Sequence, residues 1–381
     1  MPLSAVKEEV PPGVTSVVRI NLTAIQENYA TIQNLIAPAE AAAVLKANAY
    51  GLGAAPIARA LYQVGCRRFF VITPPEGVEI KAALEGLTGG AFSKPLIYCL
   101  QGLLEGTEDL FLEHQLIPVL CTLEQIQRWS QRSLERKLPC IIHVDTGMTR
   151  NGLDALSWEA FTLQSESLLQ NLDVHYYMSH LPCADNVAFS RHQRDNFLSL
   201  LKKVPFAPAS LSNGDALFLD KQMPVDLARV GLALYGLTLM TEAREALKVA
   251  VGWYGQILQI NPIPAGATVG YNCTFTASHP MRVATLGLGY ADGIPLLMSN
   301  AGTVRVGPFV APIIGRVSMD FITVDVTHIP EEDAYTGAWA TLLDESTDIS
   351  TMVRDAQTHP HELLTRIGPR VGRVYFSPFK S

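Results

Sequence analysis

The chain has 381 residues, of which 48 % are hydrophobic and 17 % charged, and a formal net charge of -7. This composition excludes a disordered chain and suits a well-buried protein of two domains, or of one large domain with an appendage. Because the charge balance is acidic and no basic cluster interrupts it, a nucleic-acid partner is not expected.

Neither a membrane segment nor an export signal is apparent. The longest apolar stretches are broken by Gly, Pro or charge before they reach a membrane-spanning length, and residues 1–14 lack the basic-then-apolar order of a signal peptide. The six cysteines are scattered, without the spacing of a metal site or of a small disulfide framework. We therefore expect a cytoplasmic protein with reduced thiols, no membrane partner and no bound metal.

Strand and helix patterns alternate over the first 240 residues. A strand at 14–20 and a helix at 21–36 come first. Eight further candidate strands follow, at 41–46, 68–72, 95–100, 116–120, 140–145, 174–180, 209–212 and 227–235. Helical patterns lie between them, for example at 54–63, 122–135, 158–169 and 186–201. This α/β alternation predicts a (β/α)8 TIM-type barrel over residues 14–240, although a doubly wound sheet would alternate similarly.

The positions of unusual polar residues favour the barrel. Lys46, Asp145, His180 and Asn213 stand at or just after the end of a strand, and Arg229 lies within the last one. The carboxyl ends of barrel strands converge on one mouth, where the active sites of such proteins form. We therefore expect these side chains to meet.

The pattern changes after residue 240. Short alternating stretches at 257–260, 281–286, 303–306 and 321–326 are separated by Gly, Pro and Asp turns, which predicts a mainly β second domain over 241–381. Residues 241–247 are the expected linker. The strand at 14–20 could belong to the barrel or to the second domain. Its position ahead of the first βα unit favours the second domain.

Residues 41–53 read Ala-Ala-Ala-Val-Leu-Lys-Ala-Asn-Ala-Tyr-Gly-Leu-Gly, a buried strand that ends in Lys46 and a glycine loop. A lysine at the end of buried backbone either extends to solvent or serves chemistry as a neutral amine, which forms Schiff bases with aldehyde cofactors. Tyr50, Gly51 and Gly53 would suit a cofactor phosphate through a hydroxyl and close backbone approach. Taken alone, the two interpretations of Lys46 are about equally good.

The stretch closely resembles the cofactor-lysine segment of alanine racemases, which use pyridoxal 5'-phosphate (PLP) on a barrel. The resemblance implies that Lys46 carries PLP and that Tyr50 contacts its phosphate. Further matches follow in the family's order as far as the C-terminus.

Residues 145–150 read Asp-Thr-Gly-Met-Thr-Arg. On its own this is a loop in which Asp145 caps a turn and Arg150 is solvated. The loop resembles the Asp-Thr-Gly-Met-x-Arg motif of alanine racemases, whose arginine lies beside the cofactor's phenolic oxygen and the substrate carboxylate. Arg150 is therefore the expected substrate-binding residue, a role that suits a planar, permanently charged guanidinium.

His180 is a core histidine, a metal ligand or a ring that stacks on a cofactor. Metal is the weakest alternative, because His175 would lie on the other strand face and Cys183 follows a proline. The resemblance implies that His180 packs against the pyridine ring of PLP.

Arg229 interrupts an apolar strand and, if buried, needs an acceptor. In the resembling family this arginine donates to the pyridine nitrogen. Because its pKa lies above ~12, the nitrogen stays unprotonated. The cofactor is then a weaker electron sink, which favours racemisation over transamination.

The resemblance implies further cofactor-binding residues at Asn213, Gly214, Gly231 and Tyr235, and the amides of Gly231 and its neighbours are expected at the phosphate. Three departures from the family bear on this site. His143 stands where many alanine racemases carry a carbamylated lysine that holds the active-site arginine, Gly214 replaces a phosphate-binding serine, and residues 368–373 lack a tyrosine that often contacts phosphate. Backbone amides, Tyr50 and Ser212 would have to hold the phosphate, so cofactor affinity is the property that these departures affect.

Racemisation requires acid/base groups on both faces of the substrate α-carbon. Lys46 serves one face, and the resemblance implies Tyr271 for the other. A tyrosine with an ordinary pKa of ~10 needs cationic or hydrogen-bonding neighbours to act as a base, and His180 and Arg150 are the candidates. Without the resemblance to the family, Tyr271 would be interpreted as an ordinary aromatic residue in a turn.

Two further segments of the second domain match the family, at 289–293 and 315–320. Each alone reads as a turn between strands. The resemblance implies a head-to-tail homodimer in which Tyr271, Tyr290, Met319 and Asp320 complete the partner's substrate site.

The sequence thus predicts a PLP-dependent alanine racemase that supplies D-alanine for peptidoglycan. A racemase of serine or of broader specificity is the near alternative. A barrel-fold decarboxylase is disfavoured, because that family places an acidic residue at the pyridine nitrogen. A non-catalytic PLP-binding barrel protein would lack residues 248–381, and a purely structural barrel leaves Lys46 and Arg229 unexplained.

Overall fold

A computed structural model describes residues 10–87, 94–133, 136–220, 223 and 226–377. The chain opens with strand β1 (Ser16–Asn21) and helix α1 (Leu22–Ile36). Eight strands then build a barrel, β2–β9 in chain order: Glu40–Val44, Arg68–Val71, Leu96–Cys99, Ile117–Leu120, Leu138–His143, Leu172–Met178, Ala209–Ser210 and Leu227–Val230. The predicted barrel is confirmed.

The barrel strands pair in parallel, in the order β8-β7-β6-β5-β4-β3-β2-β9. The remaining gap between β8 and β9 is bridged by the amide of Arg229, which donates to the carbonyl of Ser212 at 3.0 Å. The barrel is therefore nearly closed. Since all eight strands run the same way, their carboxyl ends share one mouth.

Several helices of the barrel region begin where a side chain can accept an otherwise unpaired backbone N–H. Asn21, Thr73, Thr122 and Asp154 each cap a helix in this way. After α1, the elements α2–α9 span Lys46–Tyr50, Ala54–Gln63, Pro74–Leu84, Glu108–Glu113, Leu123–Gln131, Ala155–Leu168, Val187–Leu201 and Ala216–Leu219. Of these, α2 is a left-handed turn and not a regular helix.

Two predicted elements differ from those observed. The strand predicted at 227–235 ends at Val230, because Gly231 (φ -115, ψ -97) leaves the extended conformation and a 3-10 turn follows at Leu232–Tyr235. The expected linker at 241–247 contains helix α10 (Thr241–Ala246). The bend after Val230 matters for the site, since Gly231, Leu232 and Ala233 line the cavity at the barrel mouth.

The second part of the chain is mainly β, as predicted. Its strands β10–β18 span Val251–Ile263, Thr268–Val269, Phe275–Thr276, Met281–Leu286, Thr303–Val306, Phe309–Pro312, Ile322–Asp325, Trp339–Leu343 and Gly372–Phe376. Its main sheet runs β15-β14-β17-β10-β1-β18, with β13 paired to β10 and β16 paired to β13. Strand β1 therefore lies in this sheet, antiparallel to β10 and parallel to β18.

The C-terminal segment reaches back to the barrel mouth. After helix α11 (Ile349–Ala356), helix α12 (Pro360–Thr365) packs so closely on the loop after α2 that a Cβ on Gly51 would lie 2.6 Å from the carbonyl oxygen of Leu364. Arg373 and Tyr375 donate to the carbonyls of Gly51 and Leu52, at 2.9 and 2.8 Å. The second domain thus supports the segment that carries Lys46. No helix among the described residues is long and apolar enough to cross a membrane.

Candidate active site

A cavity of about 500 Å³ occupies the barrel mouth. Eight residues that the sequence assigned to the site line it: Lys46, Tyr50, Arg150, His180, Asn213, Gly214, Arg229 and Gly231. A second cavity of similar size, about 520 Å³, is lined by Glu40, Arg67 and Arg68, where barrel strands begin. It contains none of the predicted site residues, so the mouth is the candidate site.

Lys46 begins an unusual left-handed turn. Ala47, Asn48, Ala49 and Tyr50 have φ values of 52, 53, 53 and 59. A left-handed conformation costs an L-residue roughly 1–2 kcal/mol, so four in succession persist only when their surroundings fix them.

Two side chains hold this turn. The carboxylate of Glu76 accepts from the amide of Ala47 at 2.8 Å through Oε1, and from that of Ile72 at 2.8 Å through Oε2. Glu76 also completes a capping box with Thr73 at the start of α4. Asn48 accepts from the amide of Ala54 at 2.7 Å. The carboxylate therefore joins the lysine turn to the next βα unit and fixes the direction of Lys46.

The environment of Lys46 favours its neutral amine. Burial lowers the pKa of Lys46, Arg150 and Arg229 lower it further, and the Glu76 carboxylate opposes them. A half-buried amine beside two guanidinium groups carries less positive charge at neutral pH than a solvated lysine. This is the state in which a lysine acts as a nucleophile or base.

Arg229 is buried in β9 and donates to uncharged groups. Its Nη1 donates to Oγ of Ser210 at 2.6 Å, and its Nη2 to the carbonyls of Ser179 and Leu211 at 2.6 and 3.3 Å. Burial lowers the pKa of Arg229 to about 10, so the group remains charged at neutral pH. The arrangement places a fixed cation in the cavity wall.

The two cavity histidines of the barrel are neutral. Nδ1 of His180 lies 3.3 Å from Nη2 of Arg229. Burial and then Arg229 lower the pKa of His180 to about 3 and that of His143 to about 4. Nδ1 of His143 lies 3.8 Å from Sγ of Cys121. His143 therefore contributes an uncharged ring to the cavity wall.

The loop of Arg150 is shaped by Asp145. Oδ1 of Asp145 accepts from the amides of Gly147 and Thr149 at 2.9 and 3.0 Å. Arg150 itself is exposed and lines the cavity. An exposed guanidinium at the mouth suits an incoming carboxylate.

One end of the cavity is shaped by glycines and Tyr50. A Cβ on Gly231 would lie 2.1 Å from Oη of Tyr50, whereas one on Gly214 would lie 3.2 Å from Cβ of Ala233. The 3-10 turn that starts at Leu232 leaves its first N–H groups without helical partners. Close backbone approach and free amides of this kind suit a phosphate.

Of two further predicted cofactor-binding residues, Asn213 lines the cavity and Tyr235 does not. The side chain of Asn213 accepts from the amide of Ala216 at 3.1 Å, so one of its oxygen lone pairs is used within the protein. Tyr235 is buried behind Tyr50, with the two rings 5.9 Å apart, and its hydroxyl has no partner among the described residues. Tyr235 is thus not among the residues that line the cavity.

The residues predicted for the second catalytic base and the partner's site lie away from this cavity. Tyr271, Tyr290 and Met319 are 69 %, 47 % and 51 % exposed on the second domain, and none of them lines the cavity. Asp320 forms an ion pair with Arg370 at 2.7 Å, and Arg370 also binds Asp292. Within one chain, Lys46 and Tyr271 do not share a site.

Glu76 and His361 belong to the site but were not predicted from the sequence. Glu76 had a signal, the Thr-x-x-Glu spacing of a capping box at residues 73–76. His361 lines the cavity from helix α12 of the second domain, and no spacing in the sequence links it to Lys46. Only the folded contact between the two domains reveals it.

The comparisons agree over both domains. A family model described as the alanine racemase N-terminal domain matches residues 20–239, and one for the C-terminal domain matches 250–375. The chain is 38 % identical over 394 residues to the alanine racemase of Brucella abortus, with 98 % of this chain and 96 % of that protein covered. It is 34 % identical over 384 residues to a catabolic alanine racemase of Agrobacterium fabrum, with 99 % and 96 % covered.

Solved structures give the same result. The alanine racemase of Bartonella henselae with covalently bound pyridoxal phosphate has a TM-score of 0.88 and 35 % identity, with 95 % of this chain and 99 % of that chain covered. The biosynthetic alanine racemase of Pseudomonas aeruginosa has a TM-score of 0.86 and 31 % identity, with the same coverage. The chain therefore belongs to the alanine racemase family.

Proposed function

We propose that the protein interconverts L- and D-alanine with PLP as its cofactor. The observation that carries the proposal is the meeting of Lys46, Arg150, His180 and Arg229 at one cavity of the barrel mouth. The relatives named alanine racemase match nearly the whole chain, and the Bartonella henselae enzyme holds PLP covalently. The C-terminal family match over 250–375 argues against a PLP-binding protein made of the barrel alone.

The residues present fit PLP at both of its ends. The cradle between Tyr50 and Gly231 has no room for a side chain, and the amides after Gly231 are suitable donors to a phosphate. Arg229 offers a fixed donor to a ring nitrogen, and His180 beside it offers a ring face. Lys46 offers the half-buried amine that PLP requires.

PLP when bound supplies a carbonyl that attaches to amines and a ring that withdraws electrons from the substrate α-carbon. Nζ of Lys46 first holds the cofactor and, once substrate has displaced it, accepts or returns the α-proton on one face. Arg229 remains charged and keeps its proton, because its pKa lies near 10 even when buried. Arg150 orients the substrate through its carboxylate.

The second face requires a base from another subunit. We assign this role to the hydroxyl of Tyr271 in a homodimer, with Tyr290, Met319 and Asp320 beside it. Hydrogen bonds join the loops that carry these residues. The side-chain amide of Asn300 donates to Oγ1 of Thr274 and accepts from the backbone amide of Gly315. The backbone amide of Tyr290 donates to the carbonyl of Ser318. These loops present an exposed group of apolar and aromatic side chains, which suits burial against another barrel mouth: Tyr271, Tyr290, Leu296, Leu297, Met319 and Phe321.

We place the reaction in the cytoplasm, as the supply of D-alanine for peptidoglycan. The six cysteines are all free, which suits a reducing compartment.

The proposal is tested by incubating the purified protein with PLP and L-alanine in deuterated water. We expect D-alanine with deuterium at the α-carbon, and no activity with Lys46→Ala, which should also lose the visible absorbance of covalently held PLP. PLP binding without α-deuterium exchange would contradict the racemase assignment. L-Serine in the same assay distinguishes an alanine racemase from one of broader specificity.

A further inference from the structure

A pair of stacked histidines of the second domain lies beside the Tyr50 end of the cavity, and one of the two, His361, lines it. The ring of His361, on α12, lies 5.5 Å from the ring of Tyr50 and lines the cavity. The ring of His359 stacks on His361 with centroids 4.8 Å apart, and their Nδ1 atoms are 2.8 Å apart. Among the described residues, His361 is the only histidine of the second domain that lines this cavity, and His359 lies behind it as its stacking partner.

The Nδ1–Nδ1 contact determines which ring atoms remain available. At 2.8 Å one Nδ1 donates and the other accepts, so this nitrogen of His361 is occupied whichever tautomer is present. Nε2 is then the ring nitrogen of His361 that is available to a bound group. When His361 accepts at Nδ1, its Nε2 carries hydrogen and is a donor.

The charges around the cavity are unevenly distributed. The charged groups that act on Lys46 are Arg150, Glu76 and Arg229, so the cations of the barrel lie around the lysine. The charged group that acts on Tyr50 is Asp215, a carboxylate. A phosphate placed beside Tyr50 therefore needs a further cation or hydrogen-bond donor, because a buried anion is costly without one.

We propose that His361 binds the phosphate of PLP through Nε2, and that the His359–His361 pair takes up a proton when the phosphate binds. The inference rests on the proposed function, since it assumes that PLP occupies the cavity. It assigns to His361 part of the phosphate binding that the sequence left to backbone amides and Tyr50. His361 is here a cofactor-binding residue with no part in moving the substrate proton.

The protonation follows from the groups that face His361. These are His359 on the same segment, Tyr50 and Lys46 on the lysine turn, and Asp215, which lines the same cavity and interacts electrostatically with His359. Burial and the neighbouring His359 and Lys46 lower the pKa of His361 to about 4, so the ring is neutral at pH 7 before the phosphate arrives. A phosphate dianion raises that pKa. PLP should therefore bind with proton uptake, and more weakly as pH rises through the pKa of the bound state.

The test compares PLP with pyridoxal, which lacks the phosphate. Dissociation constants of both are measured with PLP-free wild type, His361→Ala, His361→Gln and the control His192→Ala, an exposed histidine of α8. We expect His361→Ala to weaken PLP binding about tenfold or more while pyridoxal binding stays within about twofold. His361→Gln keeps a donor without the titrating ring and should weaken PLP less. His192→Ala should match wild type.

Calorimetry in two buffers of different ionisation enthalpy measures the proton. At pH 7.5 wild type should take up more protons with PLP than His361→Gln does, a difference that a purely packing role would not produce. Equal uptake, or equal weakening of PLP and pyridoxal in His361→Ala, would overturn the proposal for His361. Failure of the wild type to bind PLP would instead reject the proposed function. Circular dichroism of each variant separates misfolding from lost binding, and His361→Gln carries the test if His361→Ala misfolds.

Discussion

Nη2 of Arg229 lies 3.3 Å from Nδ1 of His180, so a buried guanidinium donates to a neutral imidazole at the wall of the cavity. The same guanidinium also binds Ser179, Ser210 and Leu211. It thereby fixes the ends of β7 and β8 to β9, across the gap where the barrel is least completely paired. One residue thus supports both the proposed cofactor site and the closure of the barrel.

Replacing Arg229 should therefore affect stability as well as chemistry. Arg229→Lys keeps the charge but cannot supply the planar set of donors, so some of these acceptors lose their partners. We expect a loss of about 1–3 kcal/mol in the free energy of unfolding, measured by urea denaturation. Arg244→Lys is the control, because Arg244 is half-exposed and binds Asp348 at the surface. Equal stability of the two variants would contradict a structural role for Arg229.

Glu76 should control both the lysine turn and the charge state of Lys46. Glu76→Gln leaves one oxygen in place of the two that accept from Ala47 and Ile72, and it removes the charge that raises the pKa of Lys46. We expect the pKa of Lys46 to fall further and the free energy of unfolding to drop by ~1–3 kcal/mol.

The pH dependence of PLP attachment to Lys46 measures the first effect, and urea denaturation the second. Glu79→Gln is the matched control, since Glu79 is an exposed residue of the same helix α4. A pKa of Lys46 that rises in Glu76→Gln would contradict the electrostatic argument.

Gly231 and Gly214 should differ sharply in their tolerance of a methyl group. The Cβ of Gly231→Ala would overlap Oη of Tyr50 at 2.1 Å, so Tyr50 must leave its place. The Cβ of Gly214→Ala would meet Cβ of Ala233 at 3.2 Å, which a small shift relieves. We expect PLP binding to weaken about tenfold or more in Gly231→Ala and by less than about threefold in Gly214→Ala. Fluorescence titration with PLP distinguishes these outcomes, and similar losses in both variants would contradict the cradle.

The barrel could be predicted from the sequence because buried parallel strands and amphipathic helices leave a periodic pattern, and Lys46 and Arg229 stood out as charges on apolar strands. The bend at Gly231 was missed because an apolar run continues through Tyr235, and periodicity does not distinguish a strand from a 3-10 turn over a few residues. The left-handed turn after Lys46 contradicts the preferences of alanine and tyrosine, and tertiary contacts with Glu76 fix it. His361 depends on how the second domain meets the barrel, which no local pattern encodes.

Buried His143 should make the protein less stable in mild acid. Its pKa is lowered from 6.5 to about 4 by burial, Arg229 and Arg150, so between these values the unfolded chain binds the proton more readily than the folded one. The free energy of unfolding therefore keeps its full value with respect to His143 above pH 6.5, and it decreases as pH falls toward 4.

His143→Asn should therefore reduce the loss of unfolding free energy between pH 7 and pH 4.5 by on the order of 2 kcal/mol. Urea denaturation at both pH values measures it. The control His192→Asn changes an exposed histidine and should retain the full wild-type loss. An unaltered pH dependence in His143→Asn would show that this ring does not stay neutral.

The last prediction concerns the proposed sharing of sites between subunits. In one chain Tyr271 is 69 % exposed and does not line the cavity of Lys46, so a two-base reaction needs both residues from different chains. Lys46→Ala and Tyr271→Phe should each be inactive alone. In a heterodimer of the two variants, one site carries both substitutions and the other carries neither. Equal amounts that exchange freely form heterodimers in half of the assemblies, so about one quarter of wild-type activity should return.

The matched control is Tyr335→Phe, which alters an exposed tyrosine of the same domain and should be fully active alone. Subunit exchange is followed with two fluorescent labels, so that a lack of recovery can be separated from a lack of mixing. If exchange is complete and no activity returns, the two residues do not meet across an interface, and the second base must lie within the same chain. Recovery near one quarter would in turn place Tyr271 opposite Lys46, because no other pairing of these variants restores an intact site.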